Sequence, residues 1–481
     1  MRELLVSAGR LETRVALVED GRAAEFYVER PGQTSLVGNI YKGRVENVLA
    51  GMEAAFVDIG LERNGFLYVD EVAQPEGKNG RAKKISELLQ GGKELLVQVI
   101  RDPMGSKGPR LTTQIGIAGR YSVFLPGSSG SGVSRRLGAG ERDRLRAVCK
   151  ELEVSSGGVI IRTAAEGAEA PAIARDLRFL QKVWGRVERQ AAVSQAPALV
   201  YAEADLALRS ARDVLGAEFG AVLVDDRMVH RRLVNYLRAV APELESRVRF
   251  YDDSVSLFER YGLESQLKKT LSRRVDLPSG GYIAIDHTEA MTVIDVNTGR
   301  YVGKRMLEET IVKTNVEACR EIVRQLRLRD IGGIIVIDFI DMAVRSNQDA
   351  VLKSLESELQ QDRTKTYVVE ISPLGLVEMT RQNTSKGLLE VVTTPCPHCR
   401  GIGRVYSEES ALIEVERHLR ALAAGTTSAG LRVEVHPRIA RRLLEGSRSL
   451  LACLEQETGR RFFVQGAIDA VPLEHLAVVP D

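Results

Sequence analysis

Between Ile283 and Met342 the chain holds two apolar runs that each carry a carboxylate into otherwise hydrophobic sequence, and no other stretch constrains the fold as tightly. The first is Met291-Thr-Val-Ile-Asp295-Val-Asn297, and the second is Gly333-Ile-Ile-Val-Ile-Asp338-Phe-Ile-Asp341. Between them Leu307, Ile311, Ala318, Ile322, Val323 and Leu326 recur largely at helical spacing, which predicts a helix over 307–328. A strand, a crossover helix and a strand bring Asp295 and Asp338 together near neighbouring strand ends. An ionised carboxylate at the end of a buried strand is costly unless it is paired or bound to a cation. With Asn297 nearby and no Cys or His in step, the pair suits a hard, oxygen-ligated ion such as Mg²⁺. The same acids also fit a structural arrangement in which Asp295 caps a turn and Asp338 or Asp341 pairs with Arg329 or Arg345.

At 481 residues, 44% of them apolar, the chain is too long for one core and should form about three to five compact units. A formal charge of +2 excludes a basic whole, so any nucleic-acid site is a local patch. Five cysteines with a single close pair point to a reducing compartment and to a metal or redox role for that pair. No apolar run reaches about 18 residues and no charged-then-apolar leader opens the sequence, so neither a membrane span nor a signal peptide is expected, and the chain reads as cytoplasmic.

Residues 3–28 alternate apolar and polar around a Glu19-Asp-Gly-Arg turn, a hairpin. From Val37 to Thr113, short strands punctuated by glycine predict a small closed barrel of the OB type. Phe56 and Phe66 flank the Gly60–Gly65 turn, with Lys42, Arg44, Arg63 and Lys107 around them. That is either a stacking platform for single-stranded nucleic acid or a pair of rings filling the barrel. Gly127-Ser-Ser-Gly-Ser-Gly runs into Arg135 and Arg136, and Gly157–Arg162 reads as a strand ending at a cation and the Thr163 hydroxyl. Backbone amides, a hydroxyl and a guanidinium are the parts of a phosphate pocket, although such loops are more often plain connections. Helices are expected over 166–190, 203–212, 348–361, 408–424 and 439–457, and strands near Ala221 and Arg249 should return to the N-terminal hairpin. Arg381 and Lys386, in the polar run after Met379, could hold phosphates or form an exposed basic loop.

Cys396-Pro-His-Cys399 is half a zinc knuckle, and a structural zinc wants four ligands. His398 and a distant residue could complete the set within one chain, two chains could each donate Cys396 and Cys399, or the thiols could be free in a turn.

Ile-Asp-Val-Asn-Thr-Gly at 294–299, Arg-Gln-Leu-Arg-Leu-Arg-Asp at 324–330, Ile-Asp-Phe-Ile-Asp-Met at 337–342 and Cys-Pro-His-Cys at 396–399 resemble the ribonuclease E/G family, in order over nearly the whole chain. Tyr301-Val-Gly-Lys304 and the lack of a long disordered C-terminal tail look more like its ribonuclease G branch. The resemblance implies a multidomain α/β and β architecture. An RNase H-like scaffold over 1–36 and 206–270 would carry an inserted S1-type OB barrel over 37–113 and a 5′-monophosphate sensor over 114–205. A DNase I-like catalytic domain over 271–392, a zinc link over 393–405 and a small C-terminal α/β domain over 406–481 would follow. It also implies Asp295 and Asp338 as Mg²⁺ ligands, Asn297 as an orienting amide, and Lys304 as a weaker candidate for stabilising charge on the phosphorus. Phe56, Phe66 and Lys107 would contact RNA. Gly119, Val123, Arg162 and Thr163 would sense the 5′-phosphate, with Lys365 where relatives can carry an arginine; a lysine lacks the bidentate fork. Cys396 and Cys399 would share a zinc ion between two protomers, giving a homodimer and, through the small domain, possible pairing into a homotetramer.

The implied activity is hydrolysis of single-stranded RNA by a Mg²⁺-dependent endoribonuclease of RNA processing and decay, in rRNA maturation and mRNA turnover, stimulated by a 5′-monophosphate and leaving 5′-phosphate and 3′-hydroxyl ends. The alternative is a non-catalytic RNA-binding assembly protein with structural acids. A DNA nuclease on the same metal site is a third reading.

Overall fold

A computed structural model of the chain describes residues 2–73, 84–103, 107–152, 154, 156–216, 218–299, 307–372, 374–382, 387–399, 401–445, 449–468 and 471–478. Lys304 and Lys386 lie outside the described residues. Contacts divide the chain into two units, Met1–Val391 and Val392–Asp481.

The N-terminal alternation becomes strands Arg2–Ala8, Thr13–Glu19 and Arg22–Glu29. As expected, the later strands return to them: Phe219–Val224 pairs parallel with Arg2–Ala8, and Val248–Phe250 pairs parallel outside it. Leu4, Val6, Val15 and Leu17 bury one face of this five-stranded sheet against Leu233 and Leu237 of the Arg227–Val240 helix.

The glycine-punctuated segment closes into a five-stranded barrel. Ile40–Leu49 pairs with Ala54–Asp58 on one side and Glu94–Arg101 on the other, and Gly65–Tyr68 and Arg110–Thr112 complete the circuit. Gly65 is needed there, because a Cβ would meet the Leu111 side chain at 2.3 Å. Ala198–Tyr201 adds a sixth strand along Ile40–Lys42.

Strands Ile117–Ala118, Ser122–Leu125, Ser131–Val133 and Gly158–Ile161 form a small sheet that shares a core with the helices Ala139–Glu151 and Ala170–Val193. The second helix starts later than its periodicity suggests, because Pro171 suits the first helical turn and Thr163–Ala165 forms a separate short turn.

In the third large sheet Met291–Asn297 pairs parallel with Gly333–Asp338, joined by the helix Leu307–Arg329. The order is Arg274–Asp276, Tyr282–His287, Met291–Asn297, Gly333–Asp338, Leu376–Arg381, Thr366–Ile371. Ile294, Val296, Ile335 and Ile337 pack against Ile322 and Leu326 of the crossover helix and Val351 and Leu355 of the helix Arg345–Leu359. The opposite face is open, with Met291 38% and Ile334 48% exposed. The reading of Asp295 and Asp338 as ends of buried strands is therefore corrected: only one face is covered, and both carboxylates are exposed on the other.

In Val392–Asp481, Gly430–Val435 lies between Arg461–Gly466 and Leu476–Val478. The single helix expected over 439–457 is two, Pro437–Leu444 and Leu450–Thr458. The Ser449 hydroxyl caps the second helix by accepting from Ala452 N at 3.2 Å.

Candidate functional site

Strand alternation places Met291, Val293, Asp295 and Asn297 on the open face of their strand, and Ile334, Val336 and Asp338 on the same face of the next. The register pairs Asp295 directly with Asp338. Asn297 Nδ2 donates to Asp295 Oδ2 at 2.8 Å, which fixes the carboxylate's rotation. Neither acid forms an ion pair with an arginine among the described residues, so the structural pairings with Arg329 and Arg345 are not what the fold makes of them. Burial first, and then the neighbouring charges of Asp295 and Asp341, push the Asp338 carboxyl above its ordinary value. Alternation along a continued strand would turn Asp341 away from Asp338, but the strand ends at Asp338, and Asp341 follows in a turn close enough to act on it. The turn is held by Asn315, a fully buried helix residue, whose amide donates to Ile340 O at 2.9 Å and accepts from Ile340 N at 3.1 Å. Sequence reasoning missed Asn315, and its signal was an asparagine on the apolar stripe of the crossover helix.

Two exposed carboxylates side by side fit Mg²⁺, which keeps several waters and takes one or two carboxylates together with substrate phosphate oxygens. Among the described residues no group of three or more His, Cys, Asp and Glu side chains is arranged to hold a metal ion.

On the barrel, Phe56 and Phe66 are register partners with ring centroids 5.9 Å apart, edge to face. Ala55, Val57 and Leu67 fill the interior, so the rings stand outside the barrel core, half-buried. Lys107 is exposed, two residues before Pro109, whose carbonyl accepts from Phe66 N at 2.8 Å. Lys42 and Arg44 both pair with Glu94, at 3.3 and 3.1 Å, which reduces the positive charge the sequence suggested.

A cavity of about 1270 Å³ brings Arg162, Thr163 and Lys365 together from segments about 200 residues apart, with Arg136, Arg363 and Asp213 in its wall. Thr163 Oγ1 shares a hydrogen bond with Ser134 Oγ at 2.9 Å. Arg162 pairs with Asp213 at 2.7 Å and donates to the Gly119 carbonyl. Burial pushes Asp213 up, but Arg212 and Arg162 outweigh it and hold the acid below its ordinary value. Gly119 and Val123 are not in the cavity wall: Gly119 is buried behind Arg162, where a Cβ would meet the Asp176 carboxylate at 2.5 Å, and Val123 sits on the strand opposite Ile160. Arg363 and Asp213 carried no local sequence signal.

Arg381 is not a phosphate-holding loop residue. It ends a strand, is 4% exposed, and pairs with Asp362 at 2.7 Å and Asp330 at 2.9 Å.

In the second unit Cys396 is exposed and Cys399 half-buried. Backbone N–H groups of Cys399 and His398, with the Cys399 side chain, hold the Cys396 thiol below its ordinary value. Gly403 N donates to Cys399 Sγ at 3.3 Å. Amides aimed at sulfur favour thiolates, the form that binds metal. Among the described residues no helix is long and apolar enough to cross a membrane.

A model of the ribonuclease E/G family matches residues 116–384, more than half the chain, and one for the RNase E/G thioredoxin-like domain matches residues 395–476. The chain is 42% identical over 471 residues to ribonuclease G of Escherichia coli (strain K12), with 96% of each covered. It is 40% identical over 472 residues to ribonuclease G of Haemophilus influenzae, again with 96% of each covered. To ribonuclease E of Escherichia coli (strain K12) it is 38% identical over 463 residues, which span 95% of this chain and 44% of that relative. On family match and full-length identity together, this chain belongs to the ribonuclease E/G family.

Proposed function

We propose that this chain, an endoribonuclease of the ribonuclease E/G family, hydrolyses single-stranded RNA in rRNA maturation and mRNA turnover in the cytoplasm, with Mg²⁺ held by Asp295 and Asp338. The observation that carries this reading is the direct register pairing of two exposed carboxylates that form no ion pair among the described residues. Mg²⁺, when bound, supplies Lewis-acid polarisation of the phosphate and an acidified water. Asp295 and Asp338 hold the charge that positions the scissile phosphate, Asn297 keeps the Asp295 carboxylate in one rotation, and Asn315 fixes the turn behind Asp338. Water oxygen bonds to phosphorus, the bond to the 3′-oxygen breaks, and that oxygen takes a proton, leaving a 5′-phosphate and a 3′-hydroxyl. The test is incubation of the purified chain with a 5′-monophosphorylated, single-stranded RNA in Mg²⁺ and then in chelator, with the ends of the products mapped. An RNA-binding assembly protein would bind the strand and leave it whole, and a general phosphodiesterase would cut the matched DNA strand as well.

The surrounding parts take their proposed roles from the family. The five-stranded N-terminal sheet, over 1–36 and 206–270, is the RNase H-like scaffold. Residues 37–113 form the S1-type barrel, 114–205 the sensor region, 271–392 the DNase I-like domain, 393–405 the zinc link and 406–481 the small domain.

Phe56 and Phe66 offer outward rings for bases, and Lys107 a charge for the backbone. Phe56→Ala and Phe66→Ala should each weaken binding of single-stranded RNA by about 1–3 kcal/mol, the usual loss for one stacked base. Direct binding measurements beside melting curves check this; normal affinity with early melting would make the rings structural.

Arg162, Thr163 and Lys365, with Gly119 and Val123 behind them, would receive a 5′-monophosphate and so couple the end of the substrate to its cleavage. Arg162→Ala should erase the rate advantage of a 5′-monophosphate over a 5′-hydroxyl substrate while leaving the rate on the hydroxyl form unchanged. An equal loss on both substrates would assign Arg162 to folding or general phosphate binding.

A further inference from the structure

The C-terminal end of the Leu307–Arg329 helix is rich in arginine, and the arginines are not treated alike. Arg327, 7% exposed, pairs with Glu19 at 3.1 Å and Glu25 at 3.0 Å. Arg329, 6% exposed, has no carboxylate among the described residues. Its Nε donates to Gln325 Oε1 at 2.7 Å and its Nη2 to Ser272 O at 2.9 Å, both neutral acceptors, while Nη1 makes no bond among the described residues. A buried guanidinium without a carboxylate in contact is destabilised, because it has lost its hydration and no ion pair replaces it. Burial accordingly lowers the Arg329 pKa to about 10, Glu321 pulling it back and Arg324 adding to the fall.

Arg329 lines a cavity of about 180 Å³ with Thr270, Arg273, Asp286, His287 and Leu389. The one carboxylate in that wall is already taken, since Arg273 grips Asp286 through two bonds at 2.5 and 2.6 Å. His287 Nδ1 is engaged with Thr292 Oγ1 at 3.1 Å, and its other ring nitrogen makes no hydrogen bond among the described residues. The wall thus holds one unmatched buried cation, a second cation with its partner, an imidazole and a hydroxyl. Leu271, Ile285, Leu388 and Leu389 complete the wall, so the site is part apolar and carries an excess positive charge at Arg329. Thr292, the register partner of His287, lies three residues along the strand from Asp295, about 10 Å at the rise of an extended chain.

We propose that this cavity is an oxyanion site that takes a phosphate group, with Arg329 as its buried anchor and His287 as a second donor. The phosphate could belong to the RNA backbone or be free inorganic phosphate, since the chemistry of the site is the same for both.

The test uses the full chain carrying Arg162→Ala, so that the other candidate phosphate pocket is silent. Calorimetric titration with inorganic phosphate should show one saturable site per chain. Arg329→Gln should weaken it at least tenfold on the same background, and His287→Gln more mildly. Because Arg329→Gln removes buried bonds, Leu389→Glu is the companion variant: it sets a carboxylate in the cavity wall, leaves the Arg329 bonds alone, and should abolish phosphate binding while raising Tm. If the backbone of RNA is the source, Leu389→Glu also weakens binding of a 5′-hydroxyl single-stranded RNA and free phosphate competes with that RNA. If free phosphate is the source, RNA affinity is the same in both chains and phosphate does not displace it. Absence of saturable phosphate binding, with RNA affinity indifferent to Leu389→Glu, would overturn the proposal. So would phosphate binding that survives both Arg329→Gln and Leu389→Glu.

Discussion

Asp295→Asn and Asp338→Asn should each lower the rate of RNA cleavage by about 10³-fold or more, since loss of even one preorganised electrostatic stabiliser costs about 10²–10³ in rate. The two carboxylates face each other across one parallel pair on an open sheet face, and burial together with Asp295 and Asp341 raises the Asp338 pKa. In the proposed site a cation lies against both carboxylates, so replacing either with a neutral amide would halve the negative charge that holds it. Asparagine keeps the shape, and both side chains are exposed, so the fold should be untouched. RNA affinity in either variant should remain within about threefold of the parent, or about 0.7 kcal/mol, because the proposed stacking surface is on the barrel. Asn297→Ala should cost less, about 10–100-fold, as befits a residue that orients a ligand. Single-turnover cleavage beside equilibrium binding checks all three, and near-normal turnover in either aspartate variant would remove the acids from the catalytic role. Asp341→Asn is the informative fourth: it touches the same electrostatics from a turn and should have the smallest effect of the acids.

The acids were legible in sequence because a carboxylate inside an apolar run breaks a strong pattern, and because a strand, helix and strand in that order can pair in only one sense. The open face was not legible. Val293, Ile334 and Val336 point away from the core yet are apolar, so their strands read as near-continuous hydrophobic runs, the signature of strands covered on both sides. The side of the barrel that Phe56 takes was equally undetermined by alternation. The interior of a tight barrel selects the smaller members, Ala55 and Val57, and sends the ring outward. Long-range pairings left no local trace at all. Arg381 finds Asp330 and Asp362, and Arg162 finds Asp213, from positions too distant in sequence for any window to connect. The same holds for Arg329, which forms no ion pair among the described residues, a feature no local window reveals.

Removing zinc, or replacing both Cys396 and Cys399 with serine, should halve the mass of the particle in solution. A structural zinc is closed by four donors, and thiolates are its strongest protein ligands. Cys396 and Cys399 provide two, and backbone amides already favour the thiolate at Cys396. Among the described residues no third histidine, cysteine or acid joins them in a metal-holding group. Two chains related by a twofold axis supply four thiolates from one patch on each, which is the self-complementary arrangement that a symmetric dimer requires. The binding free energy of the ion then appears as association free energy, so a strong chelator should convert dimer to monomer rather than unfold the second unit, whose own core is built on Val415, Leu419, Val433 and Leu443. Light scattering with and without chelator, beside zinc quantification, reads the outcome directly. The expected ratio is one zinc per two chains, lost together with the dimer in the Cys396→Ser/Cys399→Ser variant. One zinc per chain, in a particle whose size ignores chelator and mutation alike, would transfer the site to a single chain and require His398 together with a donor beyond the described residues. A further doubling that survives chelation would locate a second contact elsewhere, and the 61% exposed Phe463 and 98% exposed Ile468 of the small domain are the apolar side chains to replace first in testing the homotetramer.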